Sequence, residues 1–231
     1  MAKTKSVIAF QGTFDNITYV TSKVYGNHIR AARGTHKKAT VNDAFKEESK
    51  RLLHANIPAK ILKDAIEPYR DEVKGGLLWQ RLVSMFKRQI SDHGSFDFSK
   101  LKPFEVHANY PLERFMSVQT KVKPDREQST LNVTVSYNTH PRFERSSFID
   151  GYMLSVIIIF PYVKGRTAKI VAVHSKVIAL TGEVPPLQVK LDIPPRAKTY
   201  ILCVKLDGCM KGKVNDTPST KGLRVVGAGL V

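Results

Sequence analysis

Hydrophobic residues gather in short β-type segments near the start of the chain, take helical spacing over a middle region, and alternate with polar residues at a period of two from about residue 100 onward. Residues 5–11 (KSVIAFQ), 16–22 (NITYVTS) and 27–33 (NHIRAAR) are short β-type segments rich in Ile, Val, Thr, Tyr and Phe. The stretch Gly12–Asn16 (GTFDN) and the pair Gly26-Asn27 separate them, and both offer residues that tolerate the positive φ of tight hairpin turns. A three-stranded meander is expected. Residues 33–40 (RGTHKKAT) then read as a basic loop broken by Gly34. Helical spacing begins near residue 41. Thr40 and Asp43 resemble a capping box, with Phe45, Leu52 and Leu53 sharing one face behind it. Asn56 and Pro58 are expected to end this helix and open a short second one carrying Ile61, Leu62, Ala65 and Ile66, which Pro68 stops. After Gly75-Gly76 comes the clearest helix. Leu78, Trp79, Leu82, Val83, Phe86 and Ile90 form its apolar face, opposite Gln80, Arg81, Ser84, Lys87, Arg88 and Ser91, and residues 91–94 (SDHG) close it.

Beyond about residue 100 the period switches to two. Leu131, Val133, Val135 and Tyr137 alternate with Asn132, Thr134, Ser136 and Asn138, the signature of a half-buried strand. Similar segments lie at 114–121, 151–160, 169–178, 186–192, 198–206 and 222–229, separated by Pro, Gly, Asp and Asn. The expected class is therefore α+β: an N-terminal β-meander with three helices over residues 1–99, then an antiparallel β-sandwich of jelly-roll or immunoglobulin-like type over 100–231. No repeat of 20–50 residues is evident, which removes solenoids and propellers.

Composition changes this picture in one respect. The 231 residues are 42% hydrophobic and 25% charged, ordinary for a chain that builds its own core without disulfide or metal support. Lys and Arg, however, number 37 against 20 Asp and Glu, a net charge of +17, where small domains commonly carry roughly 2–8. Residues 1–40 hold seven basic residues and one acid, 161–231 hold twelve and four, and 91–160 are balanced. The basic residues are interleaved with Val, Ile, Leu and Ala, so they decorate folded surface rather than a disordered tail. Such a surface concentrates polyanions or meets an acidic neighbour. The candidate anion or nucleic-acid contacts are Arg33, Lys37 and Lys38 in the first loop, Arg81, Lys87 and Arg88 on the clearest helix, and Lys164, Arg166 and Lys169 around residues 164–169. Tyr19, Tyr25 and Tyr110 are candidates for base stacking, against the commoner role of strand aromatics as core or cross-strand partners.

The first ninety residues carry a resemblance. KSVIAFQGTFDNITYV, followed by Gly26, Arg30, Gly34 and the helix-opening NDAF at 42–45, is similar to the opening of a family of uncharacterised proteins common in Bacteroidota genomes and their mobile elements. FDN stands where that family tends to have a glycine pair. The resemblance implies an architecture and a bacterial or phage setting; it implies no site.

Patterns that would carry chemistry are missing from the sequence. The seven histidines stand singly, and Cys203 and Cys209 are six apart with no second pair to complete a zinc set, so no metal or other cofactor is expected. No Walker, dinucleotide or GxSxG pattern occurs. Ser91, Asp92 and His93 are neighbours in sequence and point apart, and their role in ending a helix explains them better than a triad does. No helix-turn-helix, RRM, KH or zinc-finger signature is present either. The longest apolar window, Tyr152–Phe160, is nine residues and contains Ser155, too short to span a bilayer as a helix, and MAKTKSVIAF lacks signal-peptide character. The chain is expected to start near Met1 and to reside in the cytoplasm or within a phage-like particle. A non-enzymatic structural or assembly protein that associates with itself or with other subunits into a larger particle or filament, phage-like or of a bacterial surface or mobile-element assembly, is the expected function, its basic face toward a polyanion or acidic neighbour and with no small-molecule ligand evident. The alternative is a nucleic-acid-binding accessory protein.

Overall fold

The computed structural model describes residues 11–22, 26–32, 42–70, 77–144 and 148–231. The chain divides into two compact units, residues 1–47 and 48–231. In the first, strands β1 (Gly12–Phe14), β2 (Ile17–Ser22) and β3 (Gly26–Ala31) form an antiparallel sheet in chain order. The expected meander is present, with a narrower turn. Phe14 pairs with Ile17, leaving Asp15 and Asn16 as a two-residue turn with φ of 40° and 61°. Two successive positive φ values match the right-handed strand twist, and Asp and Asn are the side chains that tolerate them best. Gly12, Thr13 and Phe14, expected in the turn, therefore belong to β1. The strand expected at 5–11 lies, but for Gln11, outside the described residues.

Helix α1 (Asp43–Ile66) opens on Asn42, whose Oδ1 accepts the Phe45 N–H at 2.8 Å. Thr40 of the expected capping box lies outside the described residues. The expected break at Asn56 and Pro58 does not occur: α1 runs unbroken with a buried Pro58 inside it. Ala55, Pro58, Ala59, Leu62 and Ile66 bury one continuous face, and that packing outweighs the single backbone hydrogen bond a proline forfeits. Phe45, Leu52 and Leu53, expected on the core face, are exposed, because burial along α1 begins only at Ala55. Pro68 falls in the 3-10 turn Glu67–Tyr69 that follows the helix. Helix α2 (Leu78–His93) buries Leu78, Leu82, Val83 and Phe86 and stops at Gly94, whose φ of 72° is the left-handed cap that glycine adopts without a Cβ clash.

Eleven further elements complete the second unit: β4 (Phe104–Glu105), α3 (Leu112–Phe115), β5 (Gln119–Asp125), β6 (Thr130–Ser136), β7 (Gly151–Tyr162), β8 (Thr167–His174), β9 (Ile178–Ala179), β10 (Leu187–Asp192), β11 (Thr199–Met210), β12 (Lys213–Val214) and β13 (Lys221–Leu230). The strand expected at 114–121 starts only at Gln119. Before it, one helical turn after Pro111 puts Leu112 and Phe115, three apart, into the same core, where a strand would send them to opposite faces. The strands make two antiparallel sheets, one ordered β4-β13-β11-β7-β8 with β12 on β11 and β9 on β7, the other β10-β6-β5.

The central strands explain why the helices share a unit with the sheets. Along β7, Tyr152, Leu154, Val156, Ile158 and Phe160 face the three-stranded sheet and pack with Leu131, Val133, Val135, Val189 and Leu191. The alternate residues Ile157 and Ile159 join Leu62, Leu82, Phe86 and Phe98 in the other core. β11 repeats this, with Leu202, Val204 and Leu206 on one side and Ile201 and Cys203 on the other. The second unit is therefore three layers: helices, a large sheet, a small sheet. An expected division at residue 99/100 would cut the helix-to-sheet core, which is why the observed units divide at residue 47 instead.

Two-sided burial has a measurable consequence. Ile157→Ala and Ile158→Ala, neighbours on opposite faces of β7, should each cost about 2–5 kcal/mol in chemical denaturation. In a sandwich without the helix layer only the second would do so.

Candidate anion-binding site

The polar face of α2 has two parts. Arg81 and Arg88 are seven residues apart, so they lie on one side of the helix about 10.5 Å apart along its axis. Lys87 points about a third of a turn away and is ion-paired with Glu48 of α1. The expected trio is thus split, and Lys87 leaves the group.

Arg81 and Arg88 line a cleft of about 570 Å³, together with Leu77, Leu82, Met85, Phe104, Gln80, Ser84, Gln89, Asp92, His93, Lys100 and Lys102. Its second wall is the segment after α2. Gln89 holds that segment through both its amide groups: its Nε2 donates to the Asp97 carbonyl at 3.2 Å and its Oε1 accepts the Asp97 N–H at 3.0 Å. Asp97 in turn caps the 3-10 turn Phe98–Lys100, accepting the Ser99 N–H at 2.9 Å and its hydroxyl at 2.8 Å. Beneath, Phe86, Phe96 and Phe98 meet edge to face at centroid distances of 5.5–6.2 Å, and Leu101 is buried. Anchoring Phe98 and Leu101 inward leaves Lys100 and Lys102 on the cleft side.

Arg81 is held in place as well. Its Nη2 donates to the Glu105 carbonyl at 2.6 Å. The Glu105 side chain accepts the Leu112 N–H at 2.8 Å and faces Arg224, which also pairs with Glu113. Burial pushes the Glu105 carboxyl above its ordinary range, against the pull of these partners. The cleft therefore presents four cations, Arg81, Arg88, Lys100 and Lys102, against the single carboxylate of Asp92. Among the described residues no ion pair engages any of the four.

The other expected groups do not join this one. Lys164, Arg166 and Lys169 are exposed on the β7–β8 hairpin, where Arg166 adopts a φ of 51°. That hairpin ends the sheet at β8, whereas Phe104 of the cleft lies on β4 at the opposite end. Four strand spacings separate the two edges, about 19 Å. Arg33, Lys37, Lys38 and Tyr25 lie outside the described residues. Tyr19 is half-buried in β2, and Tyr110 packs against the sandwich core. Sequence reasoning missed Lys100 and Lys102; the signal was their placement on either side of an inward Leu101.

No hydrogen bond among the described residues links Ser91, Asp92 and His93. Ser155 Oγ lies 2.7 Å from His174 Nδ1, but Ser155 is fully buried between sheet and helices. No cluster of three His, Cys, Asp or Glu suited to a metal ion occurs among the described residues. No helix among them is long and apolar enough to cross a membrane. Comparison with family models, curated proteins and solved structures gives no match.

Both cysteines are buried and unbridged, and burial pushes the Cys203 thiol up to about 12. A thiol near 12 in the folded chain and near 8.5 when unfolded leaves stability unchanged below about pH 8.5. Between there and pH 12 the unfolded state loses its proton first, so stability should fall with rising pH, by at most about 1.4 kcal/mol per pH unit from this group. Cys203→Val should flatten that decline in alkaline denaturation curves, and a thiol reagent at pH 8 should label Cys203 only after unfolding.

Proposed function

We propose that this chain is a non-enzymatic assembly component that associates with copies of itself, in the bacterial or phage-like setting its N-terminal resemblance suggests. The observation that carries this reading is the β8 edge. β8 is eight residues long (TAKIVAVH), has high β propensity, and among the described residues pairs on one side only, with β7. An edge of this kind offers a row of unpaired backbone groups to another strand.

The outer strands at the other edges of the two sheets of the second unit are blunted in the ways sheets commonly avoid pairing. β4 has two residues, β5 carries Lys121, Lys123 and Pro124, and β10 carries Lys190 between Pro186 and Pro194. Within β8 the one charge is Lys169, near its start. Apolar Val171 and Val173 occupy the remainder of the strand, half-buried against the sandwich core.

A second reading, a nucleic-acid-binding accessory protein, is favoured by the cations of the cleft and of the β7–β8 hairpin, which make no ion pair among the described residues. Phosphate contacts of this kind weaken steeply with salt, whereas strand pairing and apolar burial do not.

Light scattering after size exclusion, on nuclease-treated protein at about 0.1 M and 1 M salt, tests the first reading. A discrete oligomer at both salts is expected. Val173→Lys should convert it to monomer with the thermal midpoint shifted by no more than a few degrees. A monomeric parent at both salts overturns the reading, as does an oligomer indifferent to charges placed on β8. A monomer that carries nucleic acid and sheds it at 1 M salt transfers the assignment to the second reading.

A further inference from the structure

We infer that the cleft between α2 and the 100–104 segment is a binding site for a nucleoside monophosphate, as a free nucleotide or as the phosphorylated end of a strand. Three features converge on this class. The first is the charge set. Arg81, Arg88, Lys100 and Lys102 bring four cations to one cleft with no carboxylate partner among the described residues. Like charges held together repel, and an anion relieves that repulsion with charge-assisted hydrogen bonds.

The second feature is the lining between the cations. Leu77, Met85 and Phe104 form an apolar surface, and Leu77 remains 62% exposed at its rim. Inorganic phosphate alone would leave this surface wet, so the ligand has an apolar or aromatic body beside its anionic group. The guanidinium of Arg81, fixed to the Glu105 carbonyl, is a planar cation well suited to stacking on a ring.

The third feature separates a base from an alkyl chain. Gln80, Ser84 and Asp92 offer amide, hydroxyl and carboxylate groups within the same lining. These three are exposed; a lipid tail would displace water from them without replacing its hydrogen bonds, whereas the edge of a base or a ribose hydroxyl can replace them. Gln89 is not available to the ligand, since its amide is spent on Asp97. That bond and the Phe86–Phe96–Phe98 packing hold both walls in place before a ligand arrives, and a volume of about 570 Å³ falls within the usual range of small-molecule sites.

Calorimetric titration of the full chain, freed of nucleic acid in high salt, tests the site with defined probes. These are the four common nucleoside 5′-monophosphates, adenosine, inorganic phosphate, dodecyl phosphate and a 5′-phosphorylated trinucleotide. At least one monophosphate should bind at millimolar concentration or below, with adenosine and inorganic phosphate about tenfold or more weaker. Arg88→Ala and Lys102→Ala, both at exposed positions and outside any described bond, should each weaken it by roughly tenfold without altering the unfolding midpoint. A trinucleotide that competes with the monophosphate assigns the strand end as the source; one that fails to compete assigns the free nucleotide. The inference is overturned if no monophosphate binds below about 10 mM, if dodecyl phosphate binds as well or better, or if both variants bind like the parent. Running the same titration on Val173→Lys keeps this result separate from self-association, because β8 lies at the other edge of the sheet.

Discussion

Two strands buried on both faces govern the architecture of residues 48–231. β7 and β11 occupy the middle of the large sheet, and neither has a solvent side along most of its length. A strand that faces one sheet can leave its other face polar; these two instead need a second cover for Ile157, Ile159, Ile201 and Cys203. α1 from Ala55 onward and α2 supply it. Fully burying side chains of this size contributes roughly 1.5–3 kcal/mol each, more than enough to hold a proline within α1.

The orientation of the cleft follows from that requirement. Because Leu78, Leu82, Val83 and Phe86 must face the sheet, α2 has no freedom to rotate, and Arg81 and Arg88 are carried to the side where Phe104 and the 100–102 segment lie. The segment is constrained from within by Phe98 and Leu101 and along its backbone by Gln89. Glu105 links the two walls: its carbonyl receives Arg81 while its carboxyl holds α3 and Arg224. Cations on this surface thus sit on rigid supports, which lowers the ordering entropy an anion must overcome on binding.

Much of this was legible in the chain itself, and the exceptions share a cause. The amphipathic pattern of α2, its closing glycine, the alternation of β6 and the unbroken apolar run of β7 are local signals, and each corresponds to an element. The length of α1 was not legible, because Pro58 is a local breaker and only the sheet beneath it decides otherwise. Phe45, Leu52 and Leu53 misled for the converse reason: their spacing marks a helix face, but nothing in the spacing says where along the helix cover begins. At the cleft, Arg81 and Arg88 could be named from helical periodicity. Their partners Lys100 and Lys102 could not, since the contact depends on how an irregular segment returns across α2. Lys87 shares the polar face with the arginines in sequence, yet α1 claims it through Glu48.

The distribution of charge also limits how copies of the chain could join at β8. Lys164 and Arg166 cluster at the turn that begins the strand, and His174 ends it. Two β8 strands pairing parallel would bring both basic turns side by side. Antiparallel pairing places them at opposite ends of an eight-residue strand, roughly 27 Å apart and well beyond the screening length of about 8–10 Å at ordinary ionic strength. Electrostatics therefore selects a two-fold arrangement, which uses the open edge of each copy and closes upon itself. Growth from such a dimer to a particle or filament requires a second contact surface. Phe148 and Leu230, 79% and 62% exposed, are apolar side chains outside β8 that such a contact would cover. In such a dimer the cleft, about four strands from the seam, would stay open to solvent.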